Sequence, residues 1–98
     1  MSINNSDFGP IKEYLDKGAI VLDVRTDAEY DQGHVEESLH IVLDDLEDEI
    51  ETVKALSKPI ITCCRSGARS ERAKDLLLDY DIDAINGGPW QNVDQYCD

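Results

Sequence analysis

The residues equipped for chemistry gather in one stretch, Cys64-Arg65-Ser66-Gly67-Ala68-Arg69-Ser70. Cys64 follows the apolar run Ile60-Ile61-Thr62-Cys63 and precedes a helix that Ser70 is expected to cap. Backbone N–H groups in a turn from strand to helix converge into an anion nest. The helix dipole adds about half a positive charge at the same end. Arg65 and Arg69 flank the turn, and Arg72 and Lys74 follow against one acid, Glu71. The window from 64 to 74 therefore carries +3 in a chain whose net charge is −13. All of these features lower a thiol pKa and hold an anion beside the sulfur. A thiolate in such a cradle is a nucleophile suited to an oxyanion substrate. The plainer alternative is an inert core cysteine with solvated arginines. The loop position and the clustered cations weigh against it. Cys63, one residue earlier in the strand, points to the other face and reads as the inert one. Cys97 is a candidate resolving thiol.

The other titratable residues form no comparable group. Three cysteines, two of them adjacent, make a poor disulfide framework and favour a reducing compartment. His34 and His40 lie outside any zinc-ligand spacing, so no metal and no cofactor is expected. Asp23, Arg25 and Glu29 are charges at the end of a second apolar run, where an Arg25–Glu29 ion pair four residues apart is expected. A purely structural salt bridge there is the simpler reading. His34 reads as fixing a turn rather than as a general base. Trp90 reads equally as a pocket wall or as core.

These residues need a scaffold, and the pattern of apolar positions supplies one. Asp7 to Lys17 reads as a helix capped by Asp7 and ended by Gly18. Ala19 to Val24 has no alternation, as in a strand buried on both faces. Thr26 to Glu29 matches a capping box. Ser38 to Val42 reads as a short strand. Leu43, Leu46, Ile50, Val53 and Leu56 define one amphipathic helix over 44–56 with acids on its outer face. Ile60 to Cys63 is a strand, Ser70 to Leu78 a helix and Ile82 to Ile85 a last strand. Strands alternating with helices predict a parallel sheet covered on both faces, with sites beyond the strands' carboxyl ends. Cys64 falls there.

Ninety-eight residues suit one domain, 1–98. The acidic excess excludes nucleic acid and anionic membrane surfaces as electrostatic partners. The longest apolar run, Ala19 to Leu22, is far too short to span a bilayer. The N-terminus shows no signal-peptide pattern, which favours the cytoplasm. A chain trimmed of an export signal would read the same and lie in the periplasm.

Asp23-Val24-Arg25, Glu29-Tyr30, Gly33-His34-Val35, the Cys64–Ser70 loop and Asn86-Gly87-Gly88 together resemble the rhodanese family of sulfurtransferases, over about residues 11 to 96. The small size is most similar to single-domain, phage-shock-type thiosulfate sulfurtransferases. The resemblance implies a three-layer α/β/α domain with a mostly parallel sheet of about five strands. It implies that Cys64 takes sulfur from thiosulfate as a persulfide and passes it to a thiol, cyanide or a protein acceptor. Arg65, Ser66, Gly67, Ala68, Arg69 and Ser70 would bind the donor, with Arg65 and Arg69 on its sulfonate. Asp23, Arg25 and Glu29 would support the site.

Two departures from the family pattern stand out. Glu37 takes the place of a common glycine, so the turn there is expected to be remodelled. Pro89 stands where a helix would start, which a first helical position tolerates. Two other functions remain. A persulfide carrier would turn over little thiosulfate and would use the acidic surface for docking. A cysteine phosphatase or arsenate reductase would need arginine at position 70, where Ser70 stands. The spacing here is one residue shorter, and the tighter loop suits a sulfur atom better than phosphate.

Overall fold

The computed structural model describes residues 8–97. In chain order they form α1 (Ile11–Asp16), β1 (Ile20–Asp23), α2 (Asp27–Asp31), β2 (Leu39–His40), α3 (Leu43–Leu46), a 3-10 turn (Glu47–Glu49), α4 (Ile50–Ala55), β3 (Ile60–Cys64), α5 (Ala68–Asp79), β4 (Ala84–Pro89) and α6 (Trp90–Asp94). The expected Asp7 cap lies outside the described residues.

All strand pairs are parallel, in the order β2-β1-β3-β4. The described residues thus form a four-stranded sheet rather than one of about five. The last strand also starts later than expected: Ile82 is buried but lies before β4. Every residue of β3 is buried, as its unbroken apolar run requires of a central strand.

Successive β3 side chains alternate between two cores. Ile60 and Cys64 join Leu46, Ile50 and Val53 of α3 and α4 and Ala73 and Leu77 of α5 on one face. Ile61 and Cys63 join Ile11 of α1 and Val93 of α6 on the other. The result is a three-layer α/β/α arrangement with Cys64 and Cys63 turned to opposite layers.

The single helix expected over 44–56 is broken by the 3-10 turn, where Glu49 has φ −105° and ψ 10°. Asp44 and Asp48, Asp45 and Glu49, and Glu47 and Glu51 would each stack like charges four apart in a continuous helix. Leu46, Ile50 and Val53 stay buried across the break, so the core contact survives it.

β3 and β4 lose register between Thr62 and Cys64: Thr62 pairs with Asn86, but Cys64 pairs with Pro89. β4 fits one extra residue into this bulge at Gly87-Gly88. A Cβ on Gly87 would sit 2.4 Å from Val93 Cγ2 and 2.8 Å from Ile61 Cγ2. Only glycine lets β4 lie this close to α6 and β3. Bulges re-aim side chains beside sites, and this one brings Asn86 to the Cys64 loop.

Candidate active site

β3 ends at Cys64, and the chain turns at Arg65–Gly67 into α5. Gly67 occupies the helix N-cap with φ +107°, a conformation that strains any residue with a side chain. This turn aims amides at the sulfur: Gly67 N–H donates to Cys64 Sγ at 3.0 Å and Ser70 N–H at 3.4 Å. Ser70 Oγ lies 3.3 Å from the same sulfur. Ser70 is not the expected cap. The helix starts two residues earlier, and Ser70 is buried in its first turn with its hydroxyl facing the sulfur.

Burial pushes the Cys64 thiol up, but the Ser70 hydroxyl and the amides of Ser70, Gly67 and Ser66 outweigh it and hold the thiol below its ordinary value. Cys63 experiences the reverse. Its burial and the neighbouring Asp23 carboxylate push the thiol far up, so it stays protonated and inert. Cys64 itself has 0% of its surface exposed. A donor reaches Sγ only when the loop moves.

The charges around the loop are paired differently from the expectation. Arg25 does not bind the Glu29 side chain. Its Nε and Nη2 clasp Asp23 at 2.7–3.0 Å, in a pair almost wholly buried. The chain bends at Arg25, just past the end of β1, and this turns the guanidinium back onto the Asp23 carboxylate. Arg25 also donates to the carbonyls of Glu29 and Gly33, which shapes the loop after β1.

Glu29 is held by its capping box to Thr26 and turned toward Arg69, with two oxygen contacts at 2.7 and 2.9 Å. Hydrogen bonds from Arg69 and Thr26 hold its carboxyl well below the usual carboxylate range. Arg69 is thus tied to the α2 loop through two of its donors. Lys74 is occupied by Glu71 and Asp75. Among the described residues Arg65 has no ion pair, and it stands exposed. It walls a cavity of about 320 Å³ together with Arg25, Glu29, Gly33, Trp90 and Gln91. The Arg25 guanidinium lies 5.3 Å from the Trp90 ring centre.

Ser66 and Ala68 are exposed on the loop, and Ser66 contributes its amide. His34 Nδ1 donates to the Tyr30 carbonyl (2.7 Å) and the ring stacks on that of Tyr30, a turn contact away from the sulfur's partners. Among the described residues no three His, Cys, Asp or Glu side chains are grouped to hold a metal. Glu37 keeps the left-handed conformation that glycine would adopt, with φ +66°, so the turn is strained rather than remodelled.

Sequence reasoning did not assign a role to Asn86. Its side chain bonds Ser70 Oγ, Gly88 N, Gly67 O and Glu71 Oε1, all at 2.6–3.1 Å. A polar residue directly before Gly87-Gly88 was the available signal. Thr62 is similar: its hydroxyl donates to Ser70 O and anchors α5 to the sheet.

A parallel sheet covered on both faces, with a cysteine at a strand's carboxyl end inside a ring of amides, defines an α/β domain built around one sulfur. A family model for the rhodanese-like domain matches residues 9–90, and the chain belongs to that family. The reduced CoADR-RHD protein of Bacillus anthracis is 28% identical with a TM-score of 0.73, covering 88% of this chain. The chain spans only 15% of that protein's length. The human single-domain sulfurtransferase TSTD1 shares the fold at 24% identity and TM-score 0.68, with 84% of this chain and 87% of that one covered. Protein hp1203 of Helicobacter pylori does so at 23% identity and TM-score 0.65, over 97% of this chain and 78% of that one. No curated protein sequence matches significantly.

Proposed function

We propose that the protein is a sulfurtransferase that carries sulfane sulfur on Cys64. The observation that carries this reading is the convergence of Gly67 N–H, Ser70 N–H and Ser70 Oγ on one buried sulfur. Family membership and the likeness to the human single-domain sulfurtransferase TSTD1 support it.

In the first step the Cys64 thiolate attacks the outer sulfur of thiosulfate. The S–S bond of the donor breaks, and sulfite leaves with the bonding pair. The outer sulfur remains as the terminal, anionic atom of a Cys64 persulfide. Loop amides that hold a thiolate also suit this anion. In the second step cyanide or a thiolate attacks that terminal sulfur, and the Cys64 thiolate leaves. Arg65, exposed at the cavity wall, would hold the sulfonate. Arg69 acts through Glu29 to fix the loop. Asp23 and Arg25 brace the adjoining loop.

A persulfide carrier is the second reading. The full burial of Cys64 favours it, because a docking protein would supply the movement that exposes the sulfur.

Intact mass after incubation with thiosulfate tests both readings. A gain of roughly 32 Da, one sulfur, that vanishes in Cys64→Ser is expected. No gain with thiosulfate or an organic persulfide refutes both. Sustained thiocyanate release from cyanide then marks the enzyme, and a single turnover marks the carrier.

A further inference from the structure

The four hydrogen bonds of Asn86 fix which way its amide faces. Gly88 N–H can only donate, so the atom it meets at 2.9 Å is the carbonyl oxygen Oδ1. The Gly67 carbonyl can only accept, so the atom it meets at 3.1 Å is Nδ2. Ser70 Oγ lies 2.6 Å from Oδ1. Oδ1 has no proton, so this short bond takes the single proton of the Ser70 hydroxyl. Toward Cys64 Sγ, 3.3 Å away, the same oxygen then has only lone pairs. A proton between sulfur and oxygen must belong to the sulfur. With the sulfur protonated, the chain runs S–H to Ser70 Oγ, then O–H to Asn86 Oδ1.

We propose that Asn86 is a positioning residue for sulfur transfer: through the Ser70 hydroxyl it holds Cys64 as a proton-donating thiol. The proposal rests on the sulfurtransferase reading for its purpose, although the sulfur's ionisation can be measured without any sulfur donor. The thiol proton cannot pass down the chain, because an amide oxygen does not take it up. It leaves to water or a buffer base when the loop moves. The Ser70 O–H then turns from Oδ1 to the thiolate, since a charged acceptor outcompetes a neutral one. Asn86 Oδ1 keeps its bond from Gly88, so no buried polar atom is abandoned. Asn86 and the sulfur therefore compete for one proton, and the Ser70 rotor sets which of them has it.

The competition predicts a sign opposite to that of a merely structural Asn86. Loss of the side chain frees the Ser70 proton for the sulfur and favours the thiolate. If Asn86 only braced the loop, its loss would loosen the Gly67 and Ser70 amides and disfavour the thiolate. The test is the pH dependence of Cys64 alkylation by iodoacetamide, followed on the full chain by mass spectrometry with fragmentation that separates Cys64 from Cys63. In Asn86→Leu the midpoint is expected to fall by about 0.5–1 pH unit, the worth of one hydrogen bond. In Ser70→Ala it is expected to rise. In the double variant, Asn86→Leu adds no further shift, because the hydroxyl that couples the two is gone. Asn86→Ala carries the same expectation should the leucine variant not fold. An unchanged or higher midpoint in either Asn86 variant overturns the proposal, as does an equal shift with Ser70 absent. Failure of thiosulfate to charge wild-type Cys64 would instead refute the sulfurtransferase reading and leave these midpoints intact.

Discussion

Glu29→Gln isolates the bond that ties the Cys64 loop to the α2 loop. Glutamine keeps the size of the side chain and one oxygen for the Thr26 amide. It places an N–H group against the Arg69 guanidinium, where two donors meet. The native pair has two short contacts, 2.7 and 2.9 Å, but its side chains are 34% and 27% exposed. Hydrogen bonds to charged groups contribute about 1.5–3 kcal/mol when buried, and exposed pairs at most about 1. The intermediate exposure here places the loss at about 1–2 kcal/mol. For a domain of this size that lowers Tm by roughly 4–16 °C.

The effect depends on pH with a definite sign. Glu29 ionises well below its ordinary value in the folded protein. Its stabilisation is fully present above the unfolded carboxyl pKa, about 4.3, and is lost as pH falls through the folded value. The Tm gap between wild type and Glu29→Gln should be constant from pH 8 to about 5 and narrow below that. Thermal unfolding followed by circular dichroism measures it. A gap below about 0.5 kcal/mol at pH 7, or one that does not narrow toward pH 3, would refute the role given to this pair.

Three further outcomes are expected. Glu37→Gly relieves a left-handed residue and should raise stability by about 0.5–1 kcal/mol, less than the full strain because glycine gains freedom in the unfolded chain; equal or lower Tm would count against it. Tyr14, whose hydroxyl donates to Asp83 Oδ1 at 2.5 Å, is pushed up to about 12 by that bond. Its contribution is present below pH 10 and lost between about 10 and 12, so wild type and Tyr14→Phe should converge in denaturant midpoint over that range. Thiosulfate, a dianion, approaches a chain of net charge −13. The initial rate of Cys64 persulfidation should therefore rise modestly as salt screens the repulsion, and a steep fall would show that local cations govern capture.

The central parts of the fold were legible because they are local. The unbroken apolar run at Ile60–Cys63 leaves no polar face, and so must be buried on both sides. The Thr26–Glu29 capping box lies within a single turn, and it forms as expected. The helix over 44–56 was misread for a local reason too: apolar periodicity ignores like charges stacked four apart. The pairing of charges was not legible. Arg25 and Glu29 have helix-like spacing, but Arg25 sits in a bend before α2 and folds back on Asp23, and Glu29 meets Arg69 forty residues away. The number of strands depended likewise on which short segments find partners, and the described residues supply four.

Residue types alone determined that a cysteine at a strand's carboxyl end would meet a turn, a helix N-terminus and arginines. They also determined that Gly67, free to adopt positive φ, would stand at the turn. Tertiary structure decided how that loop is held. A register shift between β3 and β4 carries Asn86 to Ser70, and a bidentate contact ties Arg69 to Glu29. A hydrogen bond depends on position to within a few tenths of an ångström and on which donor has a free proton. Packing of elements distant in sequence sets both, and neither is written in the spacing of residues along the chain.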